Sequence, residues 1–129
     1  GTRGNLQVSI HKILVVEPSP IERAQLSGML TAAGYQVTVA CDGEEGVALA
    51  RRDRPDLILM EVVMPGLNGY QATRALTRSD DETVARIPVI LVSAKGQDTD
   101  KIWGLRQGAI DYLVKPVTEN ELLTRIADI

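Results

Sequence analysis

The sequence predicts an α/β domain in which five parallel strands form one sheet, doubly wound by helices on both faces. Short runs of consecutive apolar residues recur along the chain, as expected for strands buried on both faces of a sheet. Amphipathic segments that begin with helix-capping residues separate these runs. Because strands and helices alternate, right-handed crossovers between parallel strands are the predicted connections. The 129 residues are enough for one such domain.

The first strand and the first helix are predicted from an apolar run and from helix-capping residues. Residues 12–17 are predicted to form a buried strand, which Pro18 stops. Ser19 is predicted to be the N-cap of a capping box in which the Glu22 side chain reaches back, and Gly34 is placed to end the helix. The apolar stripe of this helix is predicted to contain Ile21, Leu26, Met29 and Leu30.

The same signals predict the remaining elements. Residues 118–121 repeat the capping-box pattern at the start of the last helix, and residues 78–86 are predicted to be a charged turn. Residues 35–40 are predicted to be a strand because apolar and polar residues alternate there. The other predicted strands are residues 57–60, 88–93 and 111–114, and the other predicted helices are residues 42–52, 69–77 and 98–107.

Composition and charge exclude several classes of function. The formal net charge of −3 argues against direct binding to nucleic acid, and no apolar run is long enough for a membrane span. Cys41 is the single cysteine, so no disulfide framework is expected and a reducing, cytoplasmic location is predicted. Residues 1–10 are interpreted as a tail (an expression remnant, a linker or native sequence) and residues 11–129 as the domain.

Four of the predicted strands end on charged or hydroxyl side chains, namely Glu17, Glu61, Ser93 and Lys115. The carboxyl ends of parallel strands lie along one edge of the sheet, where open α/β sheets bind their ligands. Taken singly, each residue has an ordinary explanation as a solvated strand end, a partner of a loop amide or a surface cation. Together they predict one pocket with two carboxylates, a hydroxyl and an ammonium group.

Four segments of the chain resemble the response-regulator receiver domain of two-component signalling, and the resemblance covers residues 12–129. It implies a chemotaxis-regulator-like, flavodoxin-like fold with strand order 2-1-3-4-5. Residues 71–74 and 100–104 are further similar to single-domain regulators of twitching motility and type IV pili. The four segments are Ile-Leu-Val-Val-Glu-Pro-Ser (13–19), Asp-Leu-Ile-Leu-Met-Glu-Val-Val-Met-Pro-Gly-Leu-Asn-Gly (56–69), Val-Ser-Ala-Lys (92–95) and Gly-Ala-Ile-Asp-Tyr-Leu-Val-Lys-Pro-Val (108–117).

The resemblance implies a phosphorylation site. A receiver takes a phosphoryl group from a histidine kinase onto the residue at the position of Glu61. By the same resemblance, Mg²⁺ would be held by Glu17, Glu61 and the backbone carbonyl of Val63, all of which offer the oxygen ligands that this ion prefers. The side chains matching Ser93 and Lys115 would bind the phosphoryl oxygens.

The resemblance also implies a conformational switch. When the hydroxyl matching Ser93 moves, the aromatic ring matching Tyr112 turns inward. This remodels the face made by the fourth predicted helix, the fifth strand and the fifth predicted helix, through which a histidine kinase or a downstream target would bind. Lys115–Pro116 is expected to be a cis peptide by the same resemblance.

The sequence departs from the family pattern at the chemical half of the site. Glu61 stands where the family has aspartate, and Pro18 replaces the second acidic residue of the metal site. Phosphoryl transfer depends on positioning, so one extra methylene is expected to be costly, and one missing carboxylate is expected to weaken Mg²⁺ binding. Glu61 is therefore expected to pair with Lys115, and with Ser93 as a further option, without any phosphate.

The leading hypothesis is an atypical receiver that acts as a protein-interaction module through residues 103–118, without phosphorylation and without a required cofactor. Trp103 fits either the core or this surface, and a homodimer is left open. The alternative is a working receiver, phosphorylated on Glu61 with a weakened Mg²⁺ site. The domain is not expected to be an enzyme beyond weak autophosphorylation and autodephosphorylation. A dehalogenase-like hydrolase is not expected, because the strand that would carry its aspartate nucleophile ends on glutamate. A dinucleotide-binding site is not expected either, because no Gly-x-Gly-x-x-Gly sequence follows the first strand. His11 is interpreted as a surface residue.

Overall fold

The computed structural model describes residues 9–129 and confirms the predicted architecture. Five parallel strands form one sheet in the order β2-β1-β3-β4-β5. No helix within the described residues is long and apolar enough to cross a membrane. The strands are β1 (Lys12–Val16), β2 (Gln36–Ala40), β3 (Leu57–Met60), β4 (Val89–Ser93) and β5 (Asp111–Val114). The helices are α1 (Pro20–Ala32), α2 (Gly43–Asp53), α3 (Gly69–Thr77), α4 (Glu82–Ala85), α5 (Asp98–Arg106) and α6 (Glu119–Ala127). Residues 1–8 of the predicted tail lie outside the described part of the chain.

Two apolar layers cover the sheet, one on each face. In β1, Ile13 and Val15 join the cluster beneath α1 and α6, whereas Leu14 and Val16 join the cluster beneath α2, α3 and α4. Successive residues of a strand point to opposite faces, so one apolar run supplies both layers. Strands β3 and β4 are buried along their whole length, which is why their sequences are continuously apolar.

The helix starts are only partly as predicted. Ser19 Oγ accepts a hydrogen bond from the Glu22 backbone N–H at 3.3 Å, as an N-cap should. The predicted return bond from the Glu22 carboxylate is wrong, because that carboxylate lies 3.0 Å from Lys115 Nζ instead. At α6, Thr118 Oγ1 accepts from the Glu121 N–H at 3.1 Å, which confirms the predicted N-cap. The return bond of the predicted capping box is not formed there.

Two predictions about the surface were wrong. Ile21, which the pattern predicts in the apolar stripe of α1, is 72% exposed, because a spacing of five residues from Leu26 turns it away from the buried side of the helix. The predicted charged turn contains the single-turn helix α4, which the Asp81 side chain caps by accepting from the Thr83 N–H. Burial of Val84 stabilises this turn. The helices predicted as fourth and fifth are therefore α5 and α6.

Gly69 places the start of α3 directly against the loop that follows β3. Its N–H donates to the Val62 carbonyl at 2.9 Å. A Cβ atom at this position would lie 2.2 Å from the Glu61 carbonyl oxygen, far inside contact distance. The close approach requires glycine and fixes the backbone from which the Glu61 side chain projects.

Candidate functional site at the carboxyl edge of the sheet

The four candidate side chains all lie at the carboxyl edge of the sheet. Glu17 and Glu61 directly follow β1 and β3, Ser93 is the last residue of β4, and Lys115 directly follows β5. Glu17 is 2% exposed, Glu61 is 9% exposed and Ser93 is fully buried. Buried charged groups of this kind need partners, so the hydrogen bonds around them define the site.

Lys115 is the centre of the site. Its Nζ lies 2.6 Å from Glu17 Oε1, 2.8 Å from Glu61 Oε1 and 3.0 Å from Glu22 Oε1. The expected Glu61–Lys115 pair is therefore formed, and a third carboxylate joins it from α1. Burial alone would lower the pKa of Lys115, but the hydrogen bonds to Glu17, Glu61 and Glu22 outweigh it and raise that pKa above its ordinary value.

The second oxygen of each buried carboxylate binds backbone N–H groups. Glu17 Oε2 accepts from the Ser19 N–H at 2.9 Å. Glu61 Oε2 accepts from the Val62 N–H at 2.6 Å and from the Val63 N–H at 3.1 Å. Because every oxygen of the two carboxylates has a donor, both are held in place without any added ligand.

The loop after β1 is held by a cation that the sequence had not singled out. Arg23 Nη1 donates to the Glu17 carbonyl at 2.8 Å and to the Pro18 carbonyl at 3.4 Å. Pro18 itself offers no side-chain oxygen to the site. Glu22 and Arg23 both come from the first turn of α1, and their position just after a strand that ends at this edge is the signal that could have identified them.

The groups that could hold a metal ion are the Glu17 and Glu61 carboxylates and the Val63 carbonyl. The position between the two carboxylates is taken by the ammonium group of Lys115. Within residues 9–129, no three His, Cys, Asp or Glu side chains are grouped in a way that could hold a metal ion.

Ser93 and Tyr112 form a second cluster beside the carboxylates. Ser93 Oγ accepts from the Lys95 N–H at 3.3 Å rather than contacting Glu61 or Lys115. Tyr112 is turned inward, with only 7% of its surface exposed, and its hydroxyl donates to the Lys95 carbonyl at 2.6 Å. Hydrogen bonds therefore hold the loop between β4 and α5 at both the N–H and the carbonyl group of Lys95.

Tyr70 is a further member of this cluster that the sequence had not indicated. Its hydroxyl donates to the Asp100 carbonyl at 3.1 Å, which ties the start of α3 to the first turn of α5. Burial first, and the neighbouring Tyr70 hydroxyl second, raise the pKa of Tyr112 well above its ordinary value. Both phenols therefore act as neutral hydrogen-bond donors. The Lys115–Pro116 peptide is cis, as the resemblance implied.

A family model and a curated relative agree on the family that this chain resembles. The family model of the response regulator receiver domain matches residues 13–127. Protein PilH of Pseudomonas aeruginosa is 58% identical over 115 residues, which cover 89% of this chain and 93% of PilH.

Solved structures agree with the observed topology. The chemotaxis protein CheY4 of Vibrio cholerae superposes with a TM-score of 0.86 at 30% identity, covering 94% of this chain and 99% of that one. The receiver domain of the sensor histidine kinase PA1611 from Pseudomonas aeruginosa, whose active-site cleft coordinates a magnesium ion, gives a TM-score of 0.84 at 35% identity. That match covers 93% of this chain and 97% of the PA1611 domain.

Proposed function

The chain belongs to the response regulator receiver domain family, and from this premise we propose that it is an atypical receiver whose site no longer works as a phosphorylation switch. It acts instead as an interaction module in a two-component or phosphorelay system. Its resemblance to single-domain pilus regulators favours a role in twitching motility, in the cytoplasm, where the exposed thiol of Cys41 would stay reduced.

The engagement of Lys115 is the observation that carries this proposal. By family resemblance this lysine would bind an oxygen of the phosphoryl group, yet its ammonium group already contacts three carboxylates within 3.0 Å. An incoming phosphoryl dianion would have to compete with them for the ammonium group. Displacing Glu17 or Glu61 would leave that carboxylate buried without its partner, because their side chains are only 3% and 10% exposed. That loss is expensive in a site of low dielectric constant, so the existing pairing competes directly with phosphorylation.

The position of Glu61 supports the same conclusion. Its Oε1 binds Lys115 and its Oε2 binds two backbone N–H groups, so neither oxygen is presented free to a phosphodonor. In-line transfer is sensitive to misplacement of about 1 Å, which can cost on the order of a hundredfold in rate. The longer side chain has thus been accommodated as a partner of Lys115.

Weak Mg²⁺ binding follows from the same arrangement. Glu17 and Glu61 are the carboxylates that would hold the ion, and the Lys115 ammonium lies within 2.8 Å of both. Pro18 contributes no carboxylate to offset the repulsion between this ammonium and a divalent cation. We therefore expect no Mg²⁺ requirement for the module to fold or to bind.

The binding surface would be the face formed by α5, β5 and α6, hereafter the α5–β5–α6 face. Leu105 and Ile110 are each about half exposed, at 50%. The Arg125–Asp111 ion pair, with 2.6 Å between the charged atoms, links α6 to β5 across this face. Tyr112 is turned inward beneath this face, which supports the proposal that the face keeps one conformation. A histidine kinase or a downstream target would be the signalling partner that binds it.

Intact-mass spectrometry after incubation with acetyl phosphate and Mg²⁺ tests the proposal. We expect the parent protein to gain no phosphoryl group. The variant Glu61→Asp tests whether shortening the side chain is sufficient, and Glu61→Asp combined with Pro18→Asp restores the full acidic set and is expected to be modified.

Two outcomes separate the hypotheses. If the double variant is modified and the parent is not, Glu61 and Pro18 account for the loss. If the parent gains a phosphoryl group that Glu61→Gln abolishes, the proposal is wrong and the chain is a working receiver phosphorylated on Glu61.

A further inference from the structure

A second exposed surface lies between α3 and α5, on the side of α5 away from the α5–β5–α6 face. We call it the α3–α5 ridge and define it as Arg74, Trp103 and Arg106. Trp103 is 48% exposed. The alternative that Trp103 packs in the core is therefore wrong.

The hydrogen bonds between α3 and α5 locate these side chains. Tyr70 donates to the Asp100 carbonyl at 3.1 Å, and Thr77 Oγ1 donates to the Gln107 carbonyl at 2.7 Å. Trp103 follows Asp100 by three residues and precedes Gln107 by four, so it lies on the side of α5 that faces α3.

The same spacing places the other members of the ridge. Arg74 lies between Tyr70 and Thr77 on α3 by the same helical rule, and Arg106 follows Trp103 by three residues on α5. Leu105 projects from the opposite side of α5, because it is two residues from Trp103. The ridge is therefore separate from the α5–β5–α6 face.

Two side-chain hydrogen bonds order the ridge. The Tyr70 and Thr77 hydroxyls tie α3 to backbone carbonyls at the start and at the end of α5. Gly104 lets α5 pack closely on the core, since a Cβ there would lie 2.7 Å from Leu91 and 3.1 Å from Tyr112. A surface that is already ordered loses little conformational entropy when it binds.

Two arginines give the ridge a positive charge, although the chain carries a net charge of −3. The Asp100 carboxylate on the same side of α5 accepts from the Gln97 N–H at 3.1 Å and lies 3.9 Å from Lys95 Nζ. Arg74 and Arg106 are exposed, and neither forms an ion pair with any residue in the described range 9–129. Helix α3 contains no acidic residue at all. An exposed tryptophan flanked by unpaired arginines has the composition of the residues that dominate binding energy at protein interfaces.

We propose that the α3–α5 ridge docks an acidic amphipathic helix of a partner protein. Trp103 contacts the apolar stripe of that helix, and Arg74 and Arg106 pair with carboxylates on its flanks. The proposal depends on neither Glu61 nor the α5–β5–α6 face, so it stands or falls separately from the function proposed above.

Trp103 is the single tryptophan of the chain, and its fluorescence reports on this surface directly. The probe is a synthetic helical peptide with leucines at helical spacing and glutamates at all other positions. We expect a saturable blue shift of the Trp103 emission as the peptide excludes water from the indole ring. The same peptide with lysine in place of glutamate is expected to cause no shift.

Variants with matched controls complete the test. Arg74→Glu is expected to weaken binding by about tenfold or more, because it places a carboxylate opposite the acidic flank. Arg51→Glu makes the same charge change on α2, and Leu105→Glu adds a charge on the opposite side of α5. Both controls are expected to bind like the parent, with circular dichroism verifying that every variant is folded.

Three results would overturn the proposal. The first is equal binding of the lysine peptide, and the second is unchanged binding by Arg74→Glu. The third is a Trp103 emission that changes with the concentration of the protein itself and not with peptide, which would indicate self-association through the ridge.

Discussion

Lys115 illustrates at the level of one residue how a single buried ammonium group can hold several carboxylates together. Its Nζ joins carboxylates from the β1 loop, the β3 loop and α1, so a single ammonium group balances charges from three parts of the chain. The Glu61–Lys115 pair was predictable from sequence, because both strands end at the same sheet edge and glutamate reaches farther than aspartate. The Glu22 contact was not, because the same residue also fits a local capping box.

The first prediction concerns the loss of this cation. Lys115→Met keeps most of the side-chain volume but leaves three carboxylates facing one another. We expect the free energy of unfolding, measured by urea titration at pH 7, to fall by roughly 3 kcal/mol. Lys95→Met is the matched control. The Lys95 side chain is 48% exposed, and its single ion pair, with Asp100, is long at 3.9 Å. We therefore expect the free energy of unfolding to change by no more than about 0.5 kcal/mol.

A second substitution distinguishes charge repulsion from lost packing. Adding Glu61→Gln to Lys115→Met removes one of the unpaired charges and is expected to recover part of the lost stability. If Lys115→Met unfolds with the same free energy as the parent, the buried charges are not coupled as described.

At the level of elements, the signals that succeeded are those that depend on burial over several residues. The strands β1, β3 and β4 were predictable because continuous apolar runs occur where both faces of a sheet are covered. The edge strand β2 was predictable from its alternating apolar residues instead. The bounds of α3 and β5 agree with the predicted ones at every residue. Helix α4 was missed because a single turn is too short to show a period, and the surface position of Trp103 was undecided because α5 has no clear apolar stripe.

The second prediction concerns the contact between α3 and the loop after β3. Gly69→Ala would place a Cβ 2.2 Å from the Glu61 carbonyl, so the loop or the helix must shift. We expect thermal denaturation to show a loss of about 1–3 kcal/mol, as for other overpacked sites. The displaced Glu61 would also weaken its pairing with Lys115.

Gly28→Ala is the matched control for this substitution. Gly28 lies within α1, and a Cβ there would have no atom within 4 Å. Alanine loses less conformational entropy on folding than glycine, so we expect a gain of about 0.5–1 kcal/mol. Equal effects of the two substitutions would show that the close approach at Gly69 does not constrain the loop.

At the level of the whole molecule, the parallel sheet brings distant parts of the sequence to one edge. Lys115 and Glu17 are 98 residues apart in sequence and 2.6 Å apart in space. Adjacent to them, Ser93 and Tyr112 bond the β4–α5 loop, which leads to the helix that carries both exposed surfaces. The β4–α5 loop therefore lies between the Glu61–Lys115 pair and the helix α5. Under the proposed function, this pair would keep the loop from responding to phosphorylation.

The most direct test of this conclusion is the ¹H–¹⁵N spectrum of the protein with and without Mg²⁺ and acetyl phosphate. We expect the amide signals from Ser93 to Lys115 to stay in place in the parent and to move in the variant that combines Glu61→Asp with Pro18→Asp. If these signals move in the parent, the site still responds to phosphorylation and the chain is not a constitutive interaction module.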